Sequence, residues 1–221
     1  GRDIKRYACS WAGIYLINFH NGYMKAGNIK IPALNPDDFP AVIKHIDTIA
    51  LEVEKGIRKT RGGHKEANKG FYERTDCGNT VYNLRPCKYI ECFDFPKLIW
   101  KQTSSTQTFA FDDNGYFLDV TGQFLDSNGL NVDSLLYILA FLNSKLSYYW
   151  FNSNAVKFGS QGVRWIPAII EQFPIPKTVN QQIVDLVKKR IETKDSSIDA
   201  QIDALVCEMY GLTDTEIKVV E

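Results

Sequence analysis

The sequence lacks the short motifs that mark common active sites. It contains no glycine-rich phosphate or dinucleotide loop, no GxSxG nucleophile motif and no HExxH zinc motif. Its three histidines, His20, His45 and His64, lie far apart and have no motif-like partners. No apolar run approaches the ~20 residues that a bilayer requires, and no signal peptide opens the chain. We therefore expect a cytoplasmic protein that binds a partner, touches no membrane and carries no catalytic residues.

Cysteine is present, but not in a pattern typical of a metal site or a disulfide framework. The five cysteines are an odd number without a CxxC pair, namely Cys9, Cys77, Cys87, Cys92 and Cys207. Structural zinc sites usually have closely spaced ligands, and secreted frameworks usually have even numbers of cysteines. We therefore expect free thiols in a reducing compartment.

The charge is balanced overall but unevenly distributed. The chain has 26 Lys and Arg against 26 Asp and Glu, whereas residues 1–111 alone have 17 basic against 11 acidic residues. A free-standing nucleic-acid binder usually has a net basic surface. The net charge of zero argues against such a binder, but not against a DNA-binding module of a larger enzyme.

The spacing of apolar residues predicts both strands and helices. Strands are predicted at 12–19, 81–84, 98–103 and 108–111, with a hairpin turn at Asn114-Gly115, where both residues tolerate positive φ. Helices are predicted from residue 41 and over 135–151, 179–194 and 197–210. We expect an α/β (mixed α+β) fold with a twisted mixed β core flanked by helices and a C-terminal helical pair.

The segment 137–176 combines a buried helix with a polar loop. Apolar residues repeat at helical spacing over 135–151, so we expect the aromatic residues of this helix in the core. The loop 152–164 has little apolar surface to bury and carries Lys157 and Arg164, so it is expected at the surface. Pro174-Ile175-Pro176 closes the segment. The loop is the part that we expect to meet a partner.

Basic and polar segments supply the candidates for DNA contact. The loop 58–69 is suited to phosphates, and its cations are Arg58, Lys59, Arg61, Lys65 and Lys69. Tyr72 and Arg74 follow it and are placed to contact sugars or bases. The second segment contains Lys157, Ser160, Gln161 and Arg164, and the third runs from Lys101 to Gln107. Arg164, Gln161 and Gln107 are the candidates for base edges, since Arg and Gln bond bidentately to guanine and adenine.

Other interpretations of these segments remain open. Each is also typical of a solvated surface loop, and the C-terminal helices suit a protein-interaction module that does not bind DNA. Asp112 and Asp113 suggest a nuclease as a further alternative, although acidic residues are common at hairpin turns.

Seven short motifs follow one another in a characteristic order. They are GRDIKRY with Trp11, the Pro40/Ile43/His45 helix, FYE at 71–73, FPKLIW, FAFDDNGYF, YILAFLNSKLSYYWF and EQFPIP. This order resembles the C-terminal specificity domain of TaqI-like adenine DNA methyltransferases and of the fused restriction–modification enzymes called type IIG. The ending IDALVCEMYGLTDTEIKVVE also resembles the C-terminus of such enzymes.

The resemblance implies a target recognition domain for double-stranded DNA at residues 1–176, followed by a helical extension at 177–221. The whole enzyme would transfer a methyl group from S-adenosylmethionine to adenine N6 after flipping the base, with or without a fused, Mg-dependent endonuclease. The family's Asn-Pro-Pro-Tyr motif and cofactor-binding glycine loop are absent from this sequence. The resemblance therefore implies no cofactor in this chain and an N-terminal methyltransferase domain as its partner. The separate specificity subunit of a type I system is the alternative within this class.

Overall fold

The computed structural model describes residues 3–56, 70–159 and 162–220. The chain divides into two compact units. One consists of Gly1–Ile14 together with Cys92–Glu221, and the other is Tyr15–Glu91.

The described strands are all short. They are β1 (Ile4–Lys5), β2 (Ala8–Cys9), β3 (Tyr23–Lys25), β4 (Ile29–Ile31), β5 (Lys97–Lys101), β6 (Thr103–Ser104), β7 (Ala110–Asp112), β8 (Gly122–Asp126), β9 (Lys157–Phe158) and β10 (Gly162–Arg164). The helices are α1 (Pro40–Glu54), α2 (Val132–Asn143), α3 (Lys145–Asn154), α4 (Pro167–Ile170), α5 (Gln181–Thr193), α6 (Ile198–Met209) and α7 (Asp214–Val220). These elements confirm the predicted mixed α/β class.

The described part of the Tyr15–Glu91 unit, residues 15–56 and 70–91, contains one hairpin and one long helix. β3 pairs antiparallel with β4, and α1 follows a 3-10 turn whose start is capped by the side chain of Asn35. The predicted strands at 12–19 and 81–84 are wrong, because both segments lack regular secondary structure. Residues 11–17 are exposed, so their apolar side chains do not mark a strand in the core.

In its described residues, the discontinuous unit contains two three-stranded antiparallel sheets and the two-stranded sheet of β1 and β2. In the first, β5 lies between β7 and β8, with the register Leu98 opposite Phe111 and Leu125. In the second, β10 lies between β6 and β9. β5 is a buried strand, and this explains why its sequence is continuously apolar from Leu98 to Trp100.

An ion pair is buried beside the β5–β7 pairing. Lys97 Nζ lies 2.8 Å from Asp112 Oδ2, and both side chains have 0% exposure. The ammonium also donates to the carbonyl of Phe93 at 2.7 Å. The carboxylate accepts from the backbone N–H groups of Asn114 and Tyr116 at 2.9 and 3.0 Å. Both charges therefore have several hydrogen-bond partners, as burial requires.

The hairpin predicted at Asn114-Gly115 does not form, because the carboxylate of Asp112 holds the following loop in another conformation. Of these two residues only Gly115 has a positive φ, at 73°, and residues 116–120 form no strand. Because Asp112 accepts hydrogen bonds from the following loop, the chain makes a wide turn and reaches β5 again only at β8.

α2 is the centre of the hydrophobic core. Most of its residues are buried, including Leu135, Leu139 and Phe141. α5 and α6 pack on it with buried apolar residues, of which Ile183, Val187, Ile198 and Ile202 were predicted from helical spacing, whereas Val184 and Val206 were not. The other predicted residues, Ile191, Leu205 and Met209, are partly buried against the same core. The C-terminal helical pair therefore shares one core with the sheets. The predicted boundary between residues 176 and 177 stays a prediction.

The helix predicted over 135–151 is interrupted once. Ser144 is extended (φ −71°, ψ 156°), and its hydroxyl accepts from Ser147 N and so caps α3. Asp203 of α6 adds a second cap by accepting from Lys145 N at 3.0 Å. The break reorients α3 relative to an unbroken helix, and it carries part of the predicted aromatic stripe to the surface.

Charged side chains connect the N-terminal hairpin of β1 and β2 to the helices α5 and α6. Asp199 of α6 accepts from Arg190 Nε at 2.6 Å and lies 3.2 Å from Arg6 Nη1. The buried ring of Tyr7 lies beneath both guanidinium groups, at 5.6 and 5.3 Å from ring centroid to Cζ. Tyr7 also donates its backbone N–H to the carbonyl of Phe109 at 2.8 Å. The two ends of this unit are thus held together by polar contacts.

Candidate nucleic-acid interface

Seven of the predicted DNA contacts lie outside the described residues. They are Arg58, Lys59, Arg61, Lys65, Lys69, Ser160 and Gln161. The other six are Tyr72 and Arg74 in the Tyr15–Glu91 unit, and Lys101, Gln107, Lys157 and Arg164 in the discontinuous unit.

Tyr72 is exposed, but its hydroxyl is engaged. It donates to Asp47 Oδ1 at 2.6 Å, and Tyr82 donates to the same oxygen at 2.9 Å. The carboxylate of Asp47 stabilises the protonated phenol and raises the pKa of Tyr72 to about 12. The ring is accessible to a ligand, whereas the hydroxyl links the segment after the basic loop to α1.

Replacing Asp47 by Asn tests this link. The amide carries no charge, so the pKa of Tyr72 is expected to fall towards the ordinary value of 10.0. Spectrophotometric titration of tyrosinate, with Tyr72→Phe to identify its contribution, measures the change. An unaltered Tyr72 titration in Asp47→Asn would show that the hydrogen bond does not form in solution.

Arg74 stabilises the fold of its own unit. Its guanidinium donates from Nε to the carbonyl of Val81 at 3.0 Å and from Nη2 to the carbonyl of Asn83 at 2.9 Å. Its Cζ lies 4.9 Å from the ring centroid of Phe71. These contacts close the loop between residues 74 and 83, so the structure gives Arg74 a role in organising this loop.

Gln107 lies inside the discontinuous unit. It is 9% exposed, and its Nε2 donates to the carbonyl of Ser144 at 2.7 Å and to Ser147 Oγ at 3.3 Å. The amide therefore supports the break between α2 and α3. A base edge could reach Gln107 only if these contacts opened.

The sheet of β6, β10 and β9 carries two of the predicted residues, Arg164 and Lys157. Arg164 of β10 is the cross-strand partner of Thr103 in β6, and Lys157 of β9 is the partner of Val163. Arg164, Thr103 and Lys157 are exposed, whereas Val163 is buried. Lys101, at the end of β5, is half-buried and precedes β6 by two residues. Because directly paired residues share a face of the sheet, Arg164 and Thr103 lie on one face, whereas Lys157 lies on the face of Val163, on the edge strand.

Two tryptophans attach this sheet to the core. Trp165 is buried, donates from Nε1 to the carbonyl of Ser104 at 3.1 Å, and packs edge-on against Phe109 and Phe151. Trp100 donates from Nε1 to the carbonyl of Trp165 at 2.7 Å. The backbone on both sides of Arg164 is therefore held by the core, although its side chain lies at the surface.

Two exposed tyrosines of α3 were not predicted, and one of them, Tyr148, lies next to this sheet. Tyr148 and Tyr149 of α3 are 37% and 47% exposed, and Tyr148 Oη lies 3.4 Å from the carbonyl of Ser105, next to β6. The expectation that all aromatic residues of this helix are core holds for Phe151 but not for these two. Ser144 was the only signal, because a serine before a polar first turn is a common N-cap.

The nuclease alternative finds no support at Asp112, because its carboxylate is buried against Lys97. Within 3–56, 70–159 and 162–220, no group of three or more His, Cys, Asp or Glu residues is placed to hold a metal ion. The same ranges contain no helix with the length and hydrophobicity needed to cross a bilayer.

The family comparison decides the class of the protein. The model of the TaqI-like C-terminal specificity domain matches residues 1–175. The chain belongs to this family. The resemblance inferred from the seven motifs is therefore confirmed, and membership in the TaqI-like specificity family implies sequence-specific DNA recognition in a restriction–modification system. A comparison with curated proteins found no match.

Proposed function

We propose that this chain reads a short sequence on double-stranded DNA for a cytoplasmic restriction–modification enzyme. The observation that carries the proposal is the exposed Arg164–Thr103 pair of the β6–β10–β9 sheet, with the exposed Lys157 on its edge strand, in a TaqI-like specificity domain. Lys157 and Lys101 suit phosphates, and Arg164 suits a guanine edge. The cations predicted at 58–69 are proposed as further phosphate contacts.

The enzyme that this chain serves is proposed to be an adenine N6 methyltransferase, with or without an endonuclease. Its methyltransferase domain would bind S-adenosylmethionine and flip the target adenine. The specificity domain would place that domain on the correct sequence, with residues 1–176 reading DNA and the helices of 177–221 completing the core. Recognition and methyl transfer are thus assigned to different parts of the enzyme.

The salt dependence of duplex binding tests the proposal. Each phosphate contact contributes about 0.9 to the slope of log K against log salt concentration. Lys157→Ala is therefore expected to weaken binding to all duplexes and to reduce the slope by about 1, as measured by fluorescence anisotropy on the 221-residue chain.

The matched control is Lys188→Ala. Lys188 is an exposed cation of α5 that pairs with Asp133 at 2.7 Å, and it lies on another element than the polar sheet. Its removal is expected to leave the salt slope unchanged. Equal slopes for wild type, Lys157→Ala and Lys188→Ala would remove Lys157 from the interface. A wild-type chain that binds no duplex even at low salt would contradict the proposed function itself.

A further inference from the structure

We propose that Arg164 and Thr103 act together as a reading pair in the major groove. In this pair Arg164 bonds to O6 and N7 of a guanine, and Thr103 contacts a base of the neighbouring base pair. The inference rests on the proposed function and adds to it a specificity-determining residue, Thr103, and the base that Arg164 recognises.

The register of the sheet places the two side chains together. Arg164 and Thr103 are direct partners of an antiparallel pair, and directly opposite residues have Cβ atoms about 4.5–5.5 Å apart. The next pair in the register, Val163 with Ser104, points to the other face, because side chains alternate along a strand. Val163 is buried in the core. Arg164 and Thr103 consequently share the face that is directed away from the core.

The backbone of the pair is held from both sides. Arg164 N donates to the carbonyl of Val156 at 2.9 Å, and Trp165 N donates to the carbonyl of Gln102 at 2.9 Å. Trp165 Nε1 also donates to the carbonyl of Ser104. Trp165, the residue after Arg164, is thus bonded to Gln102 and Ser104, which are the residues before and after Thr103. A rigid backbone favours specificity, since less conformational entropy is lost when the side chains bind.

The dimensions of the sheet fit the major groove of B-DNA. The groove is about 12 Å wide and admits a two-stranded β-ribbon, and the axes of β6 and β10 are about 4.8 Å apart. β9 is the edge strand, and its exposed Lys157 is paired with Val163, so its side chain starts on the face opposite to Arg164. There it is available to a phosphate beside the groove rather than to a base.

The chemistry of the pair selects the bases. The guanidinium of Arg164 is a planar double donor, which matches the two acceptors of guanine in the major groove. The shorter Thr103 offers a hydroxyl for a donor or acceptor and a methyl group for the thymine methyl. Neighbouring base pairs are 3.4 Å apart along the axis, so two side chains at cross-strand distance can contact adjacent pairs.

Single base-pair substitutions in the duplex that the wild-type chain prefers test the pair. Arg164→Ala is expected to abolish the preference for one G·C pair, a change of roughly 5- to 150-fold, while binding to unrelated duplexes changes little. Thr103→Val and Thr103→Ser separate the hydroxyl from the methyl group. At least one of them is expected to alter the preference at the base pair next to that G·C pair.

The outcomes distinguish this inference from the proposed function. Lys157→Ala is expected to lower affinity for all duplexes without altering the preference, and Lys188→Ala to change neither. Equal losses on preferred and unrelated duplexes for Arg164→Ala, or an unaltered preference in both Thr103 variants, would overturn the reading pair and leave the proposed function standing. A wild-type chain that binds duplexes without any base preference would overturn both.

Discussion

Lys97→Met is expected to lower the free energy of unfolding by about 3–5 kcal/mol. The substitution leaves Asp112 as a fully buried carboxylate without its partner, which lies 2.8 Å away in the wild type. The two backbone N–H groups of the 113–116 loop compensate for only part of the lost interaction. The loop that Asp112 organises and the β5–β7 pairing should loosen together. Urea denaturation measures the change.

The paired substitution separates the cost of an unpaired charge from the value of the ion pair. Asp112→Leu alone is expected to cost about as much as Lys97→Met, whereas the double variant is expected to be far less destabilised than the sum of the two. Lys188→Ala is the control, because its exposed ion pair with Asp133 is worth about 0–1 kcal/mol. Additive losses in the double variant would contradict the role given to the buried pair.

Trp165→Ala is the second change with a large expected effect, a loss of about 3–5 kcal/mol in the free energy of unfolding. Trp165 is 2% exposed and contacts Phe109 and Phe151 at ring centroid distances of 5.7 and 5.1 Å. Its removal leaves a cavity beneath β10 and takes away the Nε1 donor that bonds to the carbonyl of Ser104. Chemical denaturation followed by circular dichroism measures the loss.

Trp11→Ala is the matched control for this prediction. Trp11 is 51% exposed, so its replacement is expected to cost less than about 1 kcal/mol. Trp165→Phe retains a ring but no N–H donor and should fall between the two. Comparable losses for Trp165→Ala and Trp11→Ala would contradict the view that Trp165 anchors the reading surface to the core.

The helices were the most predictable part of the fold. The spacing of Ile183 and Val187 and of Ile198 and Ile202 predicts the two faces that pack in the core. Thr213 and Glu216 form a capping box, which is a local sequence pattern, and Thr213 N donates to Glu216 Oε2 at 2.8 Å. These signals are local, so a single sequence contains them.

The strands were less predictable because their partners are distant in sequence. The Asn-Gly pair at 114–115 is a strong local hairpin signal, yet the strands before and after it, β7 and β8, both pair with β5. The buried ion pair of Lys97 and Asp112 stabilises the β5–β7 pairing. The strand predicted at 12–19 was wrong for a related reason: residues 12–17 are exposed, and an apolar composition does not reveal whether a neighbouring strand is available for pairing.

The candidate site was predictable by class and only partly by residue. Arg164 and Lys157 were found from the composition of their loop, and both are exposed. Arg74 and Gln107 have the same side-chain chemistry, but they bond to carbonyls within their own units. Thr103 lies in the predicted segment 101–107, but the sequence does not distinguish it from its neighbours, because its place beside Arg164 arises only from the register of β6 and β10.

Selection of duplexes from a randomised pool by the 221-residue chain tests the central claim most directly. Specific protein–DNA contacts lose about 1–3 kcal/mol for each mismatched base pair, so one short motif should be enriched over successive rounds. We predict that this motif contains a G·C pair whose enrichment disappears with Arg164→Ala. A pool that is bound but stays random through selection would contradict sequence-specific recognition by this chain.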